Sequence, residues 1–599
     1  MAVSAPVRVS VIVPVFNPGP GFDELIQSFD RQTLSSREFE VILCDDGSDE
    51  STRLRLEQVA RARSNVRVLT LAHTGWPGTP RNYGIEAARG EYVFFADQDD
   101  RLFEGALQKF CDYADRCSSD VVVGNVVGIG RRIPRQIFRR DVPRAVLGKD
   151  PLLELLTPHK LFRSSFLREN NIRFPDGRVR LEDHLFVMRA YFSAGTISIL
   201  ASQPCYAWVK NEGSASSSRI DPVSYFPHLE TVLDLVEANT EPGELRDTLL
   251  RHWYRGKILK RLDGRRMVRY PDDYRERFLD VVTPIAQARF GSAVEDGLPF
   301  PLRIRSALLR AGRRDDLLRL AEFEAELECR AEVTSAQWTR GGKLNLTVHV
   351  QVVRDEENAL IFELGESPAG SVIGPAQAAD LRPSVWRPPE DLGHDLLPRN
   401  ALDASRDLRR GRVELLLRDE VRNTERRIPG RAPQDLSASV TIDPLRIFSR
   451  RDPSVGGQLV AQVRHAGWTF ETELRADQAT LDTAKRSPIL AGRKCELVVR
   501  SDGTVEFRRD WPAGRVRDLA ARAVRFAYSL ARRAVPQQVR RLRSLPGKPG
   551  CRRRSRSGRL RRSNSSTGSG SRAVEVSELS RRAHPPPPHP HPARRPPPR

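Results

Sequence analysis

The run Gly90-Glu-Tyr-Val-Phe-Phe-Ala-Asp-Gln-Asp-Asp100 carries an apolar strand straight into a clump of acids. Carboxylates this close repel one another and resist burial unless a cation or a set of hydrogen-bond donors compensates them. Asp97 and Asp99 form an Asp-x-Asp pair whose oxygens suit Mg²⁺ or Mn²⁺, with Asp100 behind them as a supporting partner. Taken alone, the same pattern also suits a solvated turn. A second acidic centre, Glu182-Asp183-His184, precedes the apolar Leu185-Phe-Val-Met188. A carboxylate with an ordinary pKa of about 4 is ionised at neutral pH and ready to accept a hydroxyl proton. The same pair equally fits the first turn of a helix, where the macrodipole favours acids.

The elements that must position these groups alternate. Arg8 to Phe16 is a β-branched apolar run closed by Asn17-Pro-Gly-Pro-Gly21, which predicts a buried strand. A helical segment from Phe22 to Asp30 follows, and then a strand from Phe39 delivers Asp45 and Asp46 to the Gly47-Ser48 turn. Ser51 to Arg63 reads as helix, Asn65 to Leu71 as strand, and Thr79 to Arg89 as a helix with proline near its start. Strand-helix alternation predicts parallel βαβ units, whose ligands sit beyond the carboxyl ends of the strands, where these acids lie.

Val-Pro-Val-Phe-Asn17, Cys44-Asp-Asp-Gly-Ser-Asp-Glu50, Pro80-Arg-Asn-Tyr-Gly-Ile85 and Ala96-Asp-Gln-Asp-Asp100 stand in the order and spacing of the family 2 glycosyltransferases, and resemble the donor half of their GT-A nucleotide-sugar fold. Pro158-His-Lys-Leu-Phe-Arg-Ser-Ser-Phe-Leu167, Ile172-Arg-Phe-Pro-Asp-Gly177, Leu181-Glu-Asp-His-Leu-Phe186 and Cys205-Tyr-Ala-Trp-Val-Lys210 are similar to the acceptor half of the subgroup that includes wall teichoic acid glycosyltransferases. The resemblance covers roughly the first 220 residues, and an ordered set of blocks is far more specific than any single motif. It implies an inverting, metal-dependent transfer of a sugar from a nucleotide donor, UDP by preference, to a hydroxyl of a cell-surface polymer or its precursor. It also implies roles. Asp99 would ligate Mn²⁺ or Mg²⁺, with Asp97 near the ribose or the metal. Asp46 would accept the imide hydrogen of uracil, Arg81 would meet the diphosphate or base, and Pro14, Phe16 and Asn17 would rim the base. Asp183 would be the general base with Glu182 assisting, and Lys210 and His184 would meet acceptor or phosphate. Read singly, Phe16 also suits closing a core, Arg81 a solvated helix face, Asp46 an Asx turn and His184 a role in fixing its loop. The alternative function is a noncatalytic glycan-binding scaffold that kept the nucleotide-sugar fold.

A chain of 599 residues is ample for several domains. The expected organisation is a GT-A α/β domain over 1–227, a helical connector over 228–324, an immunoglobulin-like β-sandwich over 325–515, a basic helix over 516–539 and a disordered basic tail over 540–599. The connector rests on helical apolar spacing, as in Leu302-Arg-Ile-Arg-Ser-Ala-Leu-Leu-Arg310. The β-domain rests on alternation, as in Leu344-Asn-Leu-Thr-Val-His-Val350, and on Ser501-Asp-Gly-Thr504 as a hairpin turn. No catalytic constellation falls there, which predicts a binding or assembly module or a structural appendage; homo-oligomers are among its expected uses.

The tail has seventeen Lys and Arg against two Glu, which is +15 of the chain's +21. Its Ser-Gly and Pro-His runs cannot build a core. Such charge suits peripheral contact with anionic lipid, acidic cell-wall polymer or RNA, and equally a solvated tail with no dedicated partner. Phe, Trp and Tyr are absent from it, which argues against a specific nucleic-acid platform. Seven scattered cysteines make neither a disulfide framework nor a zinc knuckle. With no signal-peptide pattern and no apolar run of about 18 residues, the expected location is cytoplasmic, at most peripheral to the inner membrane face.

Overall fold

The computed structural model describes residues 6–131, 133–134, 136–210, 219–365, 382–393, 397, 399–419, 424–428, 430–431, 436–447, 456–482, 484 and 495–509. The expected basic helix and tail lie outside these residues.

The first domain runs β1 (Val9–Val15), α1 (Gly21–Asp30), β2 (Phe39–Asp45), α2 (Glu50–Arg61), β3 (Val66–Thr70), α3 (Gly78–Ala87), β4 (Tyr92–Phe95), β5 (Arg101–Leu102), α4 (Ala106–Cys117), β6 (Val121–Ile129), β7 (Val142–Ala145), β8 (Leu161–Arg163), α5 (Ser164–Glu169), α6 (Glu182–Ser193) and β9 (Ile197–Val209). Its sheet has the order β3-β2-β1-β4-β8-β6-β9-β5, with β7 on β9. The four strands β3, β2, β1 and β4 are parallel. In β2 every residue is buried, as expected of a strand covered by helices on both faces. Each buried Val, Ile, Leu or Phe in such a core is worth about 1.5–3 kcal/mol.

The switch from parallel to antiparallel pairing at β4 builds the site. β8 runs antiparallel to β4, with Phe94 opposite Leu161. The start of β8, and His159 just before it, therefore lies beside the carboxyl end of β4 and Asp97. β9 crosses the sheet edge and presents Tyr206 to the same corner through its parallel pairing with β6.

The connector is helical, and begins earlier than the expected position 228. Asp221 caps a helix over Pro222–Ala238 by accepting from the Ser224 amide at 3.0 Å, and Pro222 takes the first turn, where a missing N–H costs nothing. Further helices span Glu244–Trp253, Asp272–Arg289, Phe300–Arg310 and Arg314–Glu326, with a π-helical turn at Tyr254–Ile258. Trp253 and Tyr254, at the start of that turn, are fully buried.

A mostly antiparallel β-domain follows. Glu328–Trp338, Leu344–Arg354 and Ser437–Ile442 pair in one arm, and Arg412–Asp419, Gly456–His465 and Trp468–Arg475 in another. A short parallel contact, Ala331 opposite Leu474, links the arms. Leu344, Leu346, Val348 and Val350 face a shared apolar core while Asn345 and His349 face out, the period-two pattern read from the sequence. Ser501 to Thr504 does turn a hairpin between Cys495–Val499 and Val505–Arg509, with Gly503 at φ +84°, a conformation that side chains with a Cβ rarely adopt. Among the described residues no helix is long and apolar enough to cross a membrane.

Candidate active site

Arg81 is the hub. It sits on α3, 3% exposed, its guanidinium 5.1 Å from the Phe174 ring centroid. One terminal nitrogen donates to Asp97 Oδ1 at 2.9 Å and the other to Asp183 Oδ1 at 2.9 Å, with Glu182 Oε1 3.9 Å away. A planar fork can span two carboxylates in this way, and a lysine ammonium cannot hold the same geometry. The next residue locks the helix in place: Asn82 donates to the Phe174 carbonyl at 3.0 Å and accepts from the Phe174 amide at 2.9 Å.

Asp97 ends the β4 strand run and is held from both sides. Its Oδ2 lies 3.1 Å from His159 Nε2, opposite the Arg81 contact. Burial works against its charge, but His159 and Arg81 outweigh that and keep the carboxyl well below the usual range. Its backbone N–H donates to the Tyr206 hydroxyl at 2.9 Å, which in turn donates to Asp100 Oδ2 at 2.7 Å. Asp100 also accepts from the Val209 amide at 2.7 Å and is nearly fully buried. Burial and the Asp97 charge push it up to about 8 against those two hydrogen bonds. Asp97, Asp100 and His159 bring ligand atoms within 4.8 Å of one another. Two carboxylates and an imidazole are a donor set that fits a divalent cation.

That grouping differs from the Asp97 and Asp99 pair expected from the sequence. Asp99 is half-buried and is not one of the three. It packs closely on the start of α1: a Cβ added at Gly21 would sit 3.3 Å from the Asp99 Cα. His159 and Tyr206 were inside quoted motifs without roles of their own. Their part in the site depends on strand pairing across more than sixty residues, which no local pattern announces.

Asp183 and Glu182 open α6, where the helix dipole favours acids. Leu181 just before them is held at φ +62°, a strained conformation for a non-glycine residue. Burial and the neighbouring Glu182 charge push Asp183 up to about 7, with Arg81 opposing. Glu182 is raised in the same direction by burial. A carboxylate poised near 7 has the proton affinity a general base needs.

His184, expected at the acceptor or phosphate or else as a residue that fixes its loop, meets partners within the chain through both ring nitrogens. Its Nδ1 accepts from Trp253 Nε1 at 3.1 Å and its Nε2 lies 3.5 Å from Lys257 Nζ, so both ring nitrogens face the connector. Burial, reinforced by Lys257, pushes its pKa well down and keeps it neutral. Trp253→Phe should therefore lower stability by about 1–3 kcal/mol, because it strips a buried acceptor of its donor; a denaturant midpoint equal to that of the parent chain would contradict this.

Around the other strand ends, Asp46 uses both carboxylate oxygens on the next loop, Oδ1 accepting from the Thr74 amide at 2.8 Å and hydroxyl at 2.7 Å, and Oδ2 from the Gly75 amide at 2.9 Å. This places His73, unremarked in the sequence, against Phe16 with ring centroids 4.5 Å apart. Both rings are substantially exposed, so they form an aromatic rim. Gln98 reciprocally bonds the Phe16 backbone at 2.8 and 3.2 Å, tying that rim to the Asp97 loop. Asn17, at φ +40°, accepts from the Asp49 amide at 3.0 Å. Pro14 is half-buried in β1, and Lys210 is exposed just past β9, one residue after the Val209 amide that bonds Asp100.

Residues 10–184 match the glycosyl transferase family 2 domain and residues 222–321 the glycosyl transferase TarS linker domain. Poly(ribitol-phosphate) β-glucosyltransferase of Bacillus spizizenii is 33% identical over 235 residues, 39% of this chain and 37% of that protein. Poly(ribitol-phosphate) β-N-acetylglucosaminyltransferase TarS of Staphylococcus aureus is 32% identical over 254 residues, 41% of this chain and 44% of that protein. A crystal structure of S. aureus TarS 1-349 in complex with UDP-GlcNAc covers 59% of this chain and 98% of its own at 25% identity and a TM-score of 0.48. The chain thus spans less than half the length of the first two relatives. The Arg81-bridged acids at the strand ends and the helical connector accordingly sit in a family 2 glycosyltransferase domain, residues 10–184, followed by a TarS linker domain.

Proposed function

We propose that the chain is an inverting, metal-dependent glycosyltransferase that moves a sugar from a UDP donor to a hydroxyl of a poly(polyol-phosphate) polymer. The observation that carries this reading is the buried Arg81 bridge, which joins the carboxylate at the end of β4 to the carboxylate at the start of α6 through one guanidinium. The donor half and the acceptor half of the reaction then share one rigid centre. The acceptor class is supported by the relatives, whose names specify poly(ribitol-phosphate).

In this reading Asp183 takes the proton of the attacking hydroxyl, and Arg81 holds the carboxylate in place and limits how far burial raises its pKa. Glu182 orients the acceptor beside it. The Phe16 and His73 rings receive the base, and Asp46 keeps their loop in register while offering its outer lone pairs to the imide. Asp97 would hold Mn²⁺ or Mg²⁺ together with Asp99, the partner expected from the resemblance, and with Asp100 and His159, whose ligand atoms lie within 4.8 Å of its own. The ion supplies Lewis-acid stabilisation of the charge that develops on the departing diphosphate. Lys210 adds a point charge for phosphate.

Incubating the purified protein with a panel of nucleotide sugars, Mn²⁺ or Mg²⁺, and poly(ribitol-phosphate) tests the reading: acceptor-dependent nucleotide diphosphate release is expected. No release with any donor, metal and polymer combination would sink it. Asp99→Ala is expected to abolish metal-dependent turnover with little loss of stability, since a half-buried carboxylate contributes little to the apolar core; full activity at saturating donor and metal would remove Asp99 from the site. Asp46→Ala should weaken donor binding by about 1–3 kcal/mol through loss of its charge-assisted hydrogen bonds, read as the calorimetric dissociation constant, and an unchanged constant would count against the role.

A further inference from the structure

Two cavities lie away from the Arg81 centre. One, about 1150 Å³, opens between the connector and the β-domain. The other, about 570 Å³, opens between the connector and the loop around residues 136–154 of the first domain. Arg255, Gly297 and Pro299 line both, so the two are chambers of one trough. The larger is lined by nine Arg or Lys side chains against six acids, and the smaller by five against two. Two of the lining acids, Asp407 and Glu471, are already held by arginines outside the lining, and a third, Glu324, by a lining arginine. Glu324 is bonded by Arg305 and by Trp468 Nε1 at 3.1 Å, Asp407 by Arg303 at 3.2 Å, and Glu471 by Arg418 at 2.9 Å.

The lining cations Arg255, Arg305, Arg330 and Arg406 are ion-paired, and the other five, Lys260, Arg265, Arg410, Arg464 and Arg475, stand in none of those pairs. Arg464 is half-buried, and burial together with the Arg412 and Arg255 charges disfavours its own charge. Lys260 is lowered in the same sense by burial and by Arg255. Arg255 donates to Glu154 at 3.1 Å but keeps a buried Nε with no partner. Like charges gathered in a recess with too few counter-charges create a positive potential that an anion relieves.

We propose that this trough is a binding site for an extended polyphosphodiester, a second contact with the acceptor polymer outside the reaction centre. The proposal rests on the reading of a phosphate-bearing polymer as acceptor. Cations spread along two connected chambers match a chain with repeated charges better than one compact anion. A recess cannot receive a planar bilayer, and the aromatic rings on its wall, a buried Trp468 and a half-buried Phe470, leave little face on which a nucleic-acid base could stack.

The test is hydrogen exchange on the full chain, read peptide by peptide, with long-chain inorganic polyphosphate as probe, beside steady-state transfer to a small polyol acceptor and to the polymer. Protection is expected over 255–265, 406–411 and 464–475 and should fade steeply with salt, as counterion release requires. Lys260→Gln/Arg410→Gln/Arg464→Gln should lose that protection and raise KM for the polymer about tenfold or more, with kcat and small-acceptor transfer unchanged, because three phosphate contacts are removed and no catalytic group is touched. Lys260→Arg/Arg410→Lys/Arg464→Lys should restore both, which separates charge from packing. Protection confined to the terminal tail, an unchanged polymer KM in the glutamine variant, or equal protection by single-stranded DNA or phosphatidylglycerol vesicles would overturn the proposal. Trough protection in a protein that transfers no sugar would support the trough while refuting the transferase reading.

Discussion

Arg81→Met should lose about 3–5 kcal/mol of folding stability and all measurable transfer, because removing one partner of a buried ion pair leaves its carboxylates uncompensated. Here three acids, Asp97, Asp183 and Glu182, would face one another around an apolar side chain. Burial already raises Glu182 and Asp183 with the guanidinium present, so without it they are expected to take up protons and the base is lost with the charge. A urea melt measures the first effect and nucleotide release the second. Arg81→Lys separates them: an ammonium restores charge but not the two-armed span, so the variant should fold nearly as well as the parent and still fall by roughly 10- to 100-fold in turnover. A parental melting midpoint for Arg81→Met would show that the bridge is not central.

Asp183→Asn keeps the shape and an oxygen for Arg81, and removes the anion. Turnover should drop by roughly 10²–10⁴-fold, the usual worth of a general base, with donor affinity close to that of the parent. The pH profile gives a second readout. A base acts only when deprotonated, so kcat/KM of the parent should be lost as pH falls through about 7, where burial and Glu182 place Asp183, and the asparagine variant should lack that limb. Glu182→Gln/Asp183→Asn should be no worse than the single change unless Glu182 substitutes as base. Parental rates in both variants would put the base elsewhere.

Much of the first domain was legible because its signals are local. β-branched runs ending in acids and turn residues define β1, β2 and β4, and the observed bounds differ from the expected ones by a residue or two. The β-domain strands were legible for the same reason, since a half-buried strand must alternate. Relations between distant segments were not legible. Tyr206 and Asp100 meet only because β9 returns past β6, and His159 meets Asp97 only because β8 reverses beside β4. Arg81 was expected at the diphosphate or base; its span to both acids needed the packing of α3 on Phe174. His184 was expected at the acceptor or phosphate, with fixing its loop as the alternative, and one position past Asp183 on a helix points to another side. The connector's true start was written in Asp221-Pro222, a cap signal overshadowed by the apolar spacing after it.

The hydrogen bond from Trp253 to His184 has a consequence for how such enzymes can be recombined. The helix that carries Asp183, the proposed base, is bonded by a residue of the next domain, so the first domain is not expected to be an interchangeable part. A chimera that joins residues 1–210 to a foreign connector would inherit all its acids yet leave α6 without its outer fastening, and exchange of acceptor specificity by grafting should succeed only when the junction falls after the π-helical turn at Tyr254–Ile258.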